Sequence, residues 1–157
     1  MAHNKFRAET ILRGEAETAA FGARIAARLG VGDTVALEGD LGAGKTTLAR
    51  AILAALGYGG EVPSPTFTLV QHYETPCLVL SHYDLYRIAR ESEMDELGLD
   101  EALAQGAVLI EWPERAGARL PADALHVQLT ILDDSRRRVA LCGPARWASL
   151  VTDGTEA

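Results

Sequence analysis

The chain has 157 residues, 48% of them hydrophobic and 24% charged. That is one domain's worth of sequence, able to bury about 70% of its unfolded surface without disulfide or metal staples. Fifteen Lys and Arg against 22 Asp and Glu give a net charge of −7, which argues against phosphate-backbone binding as the main source of affinity. No apolar run approaches the roughly 18 residues a membrane span needs, and the first ten residues lack the apolar stretch of a secretory signal. Cys77 and Cys142 lie far apart in apolar stretches, the pattern of buried thiols. The expected setting is cytoplasmic, with no membrane contact.

The first third alternates strand and helix patterns. Residues 6–12 read as a weak strand, and 15–29 as a helix with Phe21, Ile25 and Leu29 four residues apart and Gly30 as its stop. A short apolar strand at 34–38 runs into Gly39-Asp40-Leu41-Gly42-Ala43-Gly44-Lys45-Thr46-Thr47. A second helix follows, with Leu48, Ile52, Leu53 and Leu56 on one face and Gly57 at its end. After a turn-rich stretch, runs at 68–73 and 77–83 flank Glu74-Thr75-Pro76 as an antiparallel hairpin. Residues 90–105 read as an acidic helical stretch broken at Gly98, and 107–111 as a second buried strand. A second hairpin joins 125–132 to 138–142 across Asp133-Asp134-Ser135, and 144–151 close the chain as a helix. Crossovers mixed with hairpins predict a three-layer α/β domain over residues 1–151, with a mixed, mostly parallel central sheet plus antiparallel hairpins, and a flexible tail at 152–157.

The segment Gly39 to Thr46 fits G-x-x-x-x-G-K-[ST], placed between an apolar strand and an amphipathic helix. Such a loop wraps a phosphate with its backbone N–H groups, and the helix N-terminus adds about half a positive charge. On this reading Asp40, Leu41, Gly42, Ala43, Gly44, Lys45, Thr46 and Thr47 bind nucleotide. Lys45 bridges β- and γ-phosphates, and the Thr46 hydroxyl takes a Mg²⁺ position. Only two of the 15 basic residues are lysines, Lys5 and Lys45, so a lysine at this place is not an accident of composition.

A phosphate loop also needs a carboxylate near the metal, and in an α/β sheet these sit at strand C-termini. Glu111 ends the strand AVLI and is the simpler metal candidate. Asp84 follows CLVLSHY and is the candidate for orienting or deprotonating the attacking water, with the two roles open to exchange. His82 shares a strand face with Asp84 and is placed to orient a neighbouring group or to sit as a half-buried core histidine. Trp112 either packs or reaches the nucleotide. Ser64-Pro65-Thr66-Phe67-Thr68 is either a proline turn or a mobile hydroxyl segment facing the γ-phosphate. The run Arg136-Arg137-Arg138 lies at a hairpin turn, where solvated charge is the ordinary reading.

An N-K-x-D guanine motif and an L-S-G-G-Q segment are absent, and the chain is too short for a helicase core. A small ATPase and a small-molecule kinase of the P-loop class remain. L-x-G-D-L-G-A-G-K-T-T at 37–47, S-P-T-F-T-L-V at 64–70, H-Y-D-L-Y-R at 82–87, E-L-G at 96–98 and I-E-W-P at 110–113 together resemble the TsaE (YjeE) family, the ATPase component of tRNA threonylcarbamoyladenosine (t6A) synthesis. The resemblance implies a P-loop NTPase fold, Mg²⁺-ATP as cofactor and weak ATPase activity that matters in complex with TsaD and TsaB, with tRNA met only indirectly. It also implies metal positions at Thr46 and Glu111, a key acid at Asp84, and nucleotide contacts near Glu15 and Arg136.

Overall fold

The computed structural model describes residues 5–40, 42–63 and 68–152. Leu41, residues 64–67 of the Ser-Pro-Thr-Phe segment and residues 153–157 of the expected tail lie outside the described residues. Strand β1 (Lys5–Arg13) leads into helix α1 (Gly14–Arg28), then β2 (Thr34–Glu38) and α2 (Lys45–Ala55). The hairpin of β3 (Val70–Glu74) and β4 (Val79–Asp84) follows. A 3₁₀ segment at Glu91–Glu96 then precedes α3 (Leu99–Gln105) and β5 (Gly106–Glu111). A kinked 3₁₀ stretch at Pro113–Arg119 leads to the hairpin of β6 (Leu125–Ile131) and β7 (Arg136–Pro144), and α4 (Ser149–Thr152) ends the described chain.

The seven strands form one sheet in the order β1-β7-β6-β2-β5-β4-β3. The four central strands, β6, β2, β5 and β4, run parallel, and β1, β7 and β3 pair antiparallel at the flanks. The C-terminal ends of β2, β4 and β5 therefore open on the same edge, where an α/β sheet binds ligands.

Strand alternation divides the interior in two. Ala107 and Leu109 of β5 join Leu80, Leu125, Val127 and the apolar faces of α1 and α2 on one side. Val108 and Ile110 join Tyr83, Leu85, Met94, Leu99 and Ala102 on the other. All six residues of β5 are buried, which is why it reads as a continuous apolar run. Helices α1 and α2 cross closely at Gly22, where a Cβ would stand 2.6 Å from the Ala51 Cβ. That contact packs α1 against α2, whose buried Leu48, Ile52 and Leu53 join the core on this face of the sheet.

Cys77, expected buried, is exposed because it falls in the turn between β3 and β4, and Cys142 is half-buried; three segments also differ in detail from the sequence pattern. The acidic stretch forms a 3₁₀ segment and a short helix divided at Gly98, which adopts φ +68, because its apolar residues Met94, Leu99 and Ala102 have to reach one packed cluster. The second strand of the last hairpin starts at Arg136, two residues earlier than its apolar pattern, because it continues pairing with β1 as far as Arg13. The closing helix is a 3₁₀ turn at Ala145–Trp147 followed by one turn of α4, with Trp147 and Leu150 fully buried.

Candidate functional site

The loop between β2 and α2 turns through three glycines of positive φ, Gly39, Gly42 and Gly44, that a side chain would strain. Gly39 has φ +144, and a Cβ there would meet the Leu129 carbonyl oxygen at 2.6 Å; Gly44, the residue before α2, has φ +107. Leu48 N–H donates to the Gly44 carbonyl at 2.9 Å, so the helical bonds begin there and the amides of the first turn have no partner within the helix. Open amides and the helix dipole at such an end favour an anion.

Lys45 is 5% exposed. Its Nζ donates to the carbonyls of Gly39 at 2.5 Å and Asp40 at 3.1 Å, and it lies 4.3 Å from the centre of the Trp112 ring. The Thr46 hydroxyl donates to Glu111 Oε2 at 3.2 Å. Glu111 ends β5, 3% exposed, directly opposite Asp84 on β4, 5% exposed. Asp84 Oδ1 accepts the Tyr86 amide at 3.0 Å, which closes the turn after β4. Trp112 then turns the chain away in a left-handed conformation, φ 59 and ψ 51, rare for a bulky residue. Its indole packs on Tyr86 with ring centres 4.9 Å apart.

These groups line a cleft of about 340 Å³ together with Gly42, Gly44, Thr47, Tyr86 and Arg87. A second cavity of about 190 Å³ shares Gly44 and Thr47 with it, and adds Glu15, Thr18, Ala43, Asp134, Ser135 and Arg137. The start of α2 thus lies between a larger cleft bearing Asp84 and Glu111 and a smaller cavity bearing Glu15, Asp134 and Arg137. Of the expected site residues, Gly42, Gly44, Lys45, Thr46, Thr47, Asp84 and Glu111 meet in the first, and Glu15 and Ala43 line the second.

Asp40 is exposed and offers its carbonyl to Lys45. Arg136 turns away, its Nε donating to Asp133 Oδ2 at 2.8 Å. Arg137 is the member of the arginine run that faces the loop, with Nε donating to the Ala43 carbonyl at 3.1 Å. The signal was present in the alternation of β7, since Arg137 shares its face with the buried Val139 and Leu141.

Sequence reasoning placed His82 beside Asp84, half-buried. It is fully buried, and its Nε2 stands 2.7 Å from Glu111 Oε2 on the neighbouring strand. Tyr86, set against Trp112 at the cleft rim, lies within H-Y-D-L-Y-R but was not singled out as a site residue.

A hard cation fits this donor set. A hydroxyl and a carboxylate converge, both oxygen ligands, and Mg²⁺ in phosphate enzymes is held by one or two such groups with the rest of its shell from phosphates and water. Among the described residues no group of three or more His, Cys, Asp or Glu is placed to hold a metal by itself.

Comparison with known proteins identifies the kind of molecule that carries this site. Residues 12–139 match the family model described as threonylcarbamoyl adenosine biosynthesis protein TsaE. The chain belongs to the TsaE family. Similar TsaE proteins include that of Rickettsia bellii, 44% identical over 82% of this chain and 90% of the relative. That of Bacillus subtilis is 41% identical over 78% of this chain and 77% of the relative. The crystal structure of Bacillus subtilis YdiB superposes with a TM-score of 0.79 at 30% identity, covering 97% of this chain and 96% of that one. The P-loop NTPase fold of a TsaE protein and a role in t6A biosynthesis follow from these matches.

Proposed function

We propose that this TsaE protein is a Mg²⁺-dependent ATPase of low intrinsic rate. It acts with TsaD and TsaB in forming threonylcarbamoyl on adenosine 37 of tRNAs that read codons beginning with A. The observation that carries this reading is the convergence of Lys45, Thr46, Glu111 and Asp84 on one cleft at the N-terminus of α2. Amides at the start of α2 and the Lys45 ammonium would hold the β- and γ-phosphates, and Thr46 with Glu111 would hold Mg²⁺. Bound there, Mg²⁺ would offset the negative charge on the phosphate oxygens. Asp84, one strand away from Glu111, is the group that orients or deprotonates the attacking water. The smaller cavity beyond Thr47, with Glu15 and Arg137 on its walls, takes the remainder of the nucleotide.

A low rate fits the state of Lys45, whose ammonium is already bonded to two loop carbonyls and covered by Trp112, so that phosphates have to compete for it. The acidic balance of the chain, −7, fits a protein that works on a protein complex and meets tRNA only through it. No helix among the described residues is long and apolar enough to cross a membrane, in keeping with work in the cytoplasm.

The test is ATP turnover by the pure protein with and without TsaD and TsaB. Slow hydrolysis that rises with the partners, together with repeated rounds of t6A formation, supports the proposal. Rapid stoichiometric phosphorylation of a small metabolite by the lone protein, indifferent to the partners, selects the P-loop kinase reading instead.

A further inference from the structure

His82 is a fully buried imidazole in the middle of the sheet, on the face that Leu80 shares and in register with Leu109. An apolar residue would fill that position without desolvating a polar ring, so the histidine costs stability and calls for another account. Its Nε2 lies 2.7 Å from Glu111 Oε2, while Nδ1 has no hydrogen-bond partner among the described residues. An ionised carboxylate only accepts, so Nε2 carries the proton and donates it to Glu111. One ring nitrogen is spent, and it is spent on this one carboxylate.

The same Oε2 also accepts from the Thr46 hydroxyl. Thr46 lines the cleft and is the residue assigned to the metal above, whereas His82, with no exposed surface, has no access to the cleft. Of these two donors, His82 is therefore the one whose bond does not compete with a ligand. A long glutamate side chain has three rotatable bonds and needs such a tether to present its free oxygen in one place.

We propose that His82 is a positioning residue for the metal site: its Nε2–H fixes the Glu111 carboxylate for a divalent cation bound with the nucleotide. The inference rests on the assignment of Glu111 to the metal made above.

The experiment uses the full chain with ADP and Mn²⁺ as the spectroscopic stand-in for Mg²⁺. It reads Mn²⁺ affinity by electron paramagnetic resonance, and metal-free ADP affinity separately by calorimetry. His82→Leu is expected to weaken Mn²⁺ binding in the ADP complex by about 10-fold or more and to leave metal-free ADP affinity within about twofold, since the amides and Lys45 are untouched. His82→Gln, whose side-chain amide extends as far as Nε2, is expected to recover most of the Mn²⁺ affinity. His82→Asn, which is one carbon shorter, is not. Should the leucine variant fail to fold, the Gln and Asn pair decides: equal Mn²⁺ affinity in the two overturns the proposal. So does a folded His82→Leu that keeps wild-type Mn²⁺ affinity, or one that loses ADP binding with and without metal to the same degree. If the wild-type ADP complex itself binds no Mn²⁺, the metal assignment fails and the proposal falls with it. If the wild type binds and His82→Leu binds equally well, only the role of His82 falls.

Discussion

Two groups of bonded charges in this molecule answer opposite purposes. Arg119 bridges Glu91 at 3.1 Å and Asp95 at 3.0 Å, in a network that joins the 3₁₀ segments Glu91–Glu96 and Pro113–Arg119, and its members remain 39% to 59% exposed. Lys45, His82, Asp84 and Glu111 are all 5% exposed or less. The first group keeps its charges hydrated and gains little from pairing. The second gives up hydration beside a cleft, an arrangement that costs stability and is characteristic of functional sites. Similar side chains, at similar distances, thus predict opposite outcomes when removed.

The largest effect is expected at the buried group. Lys45→Ala should weaken ATP binding by about 3 kcal/mol, roughly 100-fold, measured by calorimetry, whereas Lys5→Ala should leave it unchanged. Unaltered affinity and turnover in the Lys45 variant would end the phosphate-loop reading. Glu111→Ala should abolish Mg²⁺-dependent turnover while circular dichroism still reports the native fold. Asp84→Ala should still bind nucleotide but fail to turn it over with the partner proteins. If instead Asp84→Ala loses the Mg²⁺ dependence and Glu111→Ala keeps it, the two carboxylates exchange roles.

The exposed network should respond only slightly. Arg119→Ala is expected to lower Tm by about 2 °C or less, with a difference that shrinks in added salt; a large loss would erase the contrast between the two groups. Its pH dependence sharpens the point. The Arg119 guanidinium, bonded to Asp95, holds that carboxyl below its ordinary value of 3.8. The stabilisation is therefore complete above that value and is lost as pH falls through the lower, folded-state value. Thermal melts of wild type and Arg119→Ala should differ near neutrality, draw together as pH falls below about 4, and converge only below the depressed folded-state value of Asp95. Asp133, held down in the same way chiefly by Arg136, should behave likewise in an Arg136→Ala comparison. A gap that widens in acid would contradict both assignments.

Much of the site was legible because its parts are local. The phosphate loop is contiguous, its glycines are required by the backbone they adopt, and the strand and helix beside it carry their own apolar periods. Glu111 could be picked out because a carboxylate at the end of a fully apolar strand has no structural need to be there. The partner of His82 was not legible. Alternation puts it on the face of Asp84, but its bond goes to Glu111, 29 residues away on an adjacent strand. The contact of Arg137 with the Ala43 carbonyl was not singled out, because it depends on which face of β7 turns toward the loop after β2.

The sequence by itself determined the elements, the alternating α/β class, the phosphate loop and the candidate acids, since each depends on residues within one turn or one strand. Only the tertiary structure decided which carboxylate lies against Thr46, which arginine closes on Ala43 and where the Lys45 ammonium rests on Trp112. Those contacts join β2, β4, β5 and β7 through strand order and register. Order and register are set by the summed packing of both sheet faces, a quantity no local stretch of residues contains.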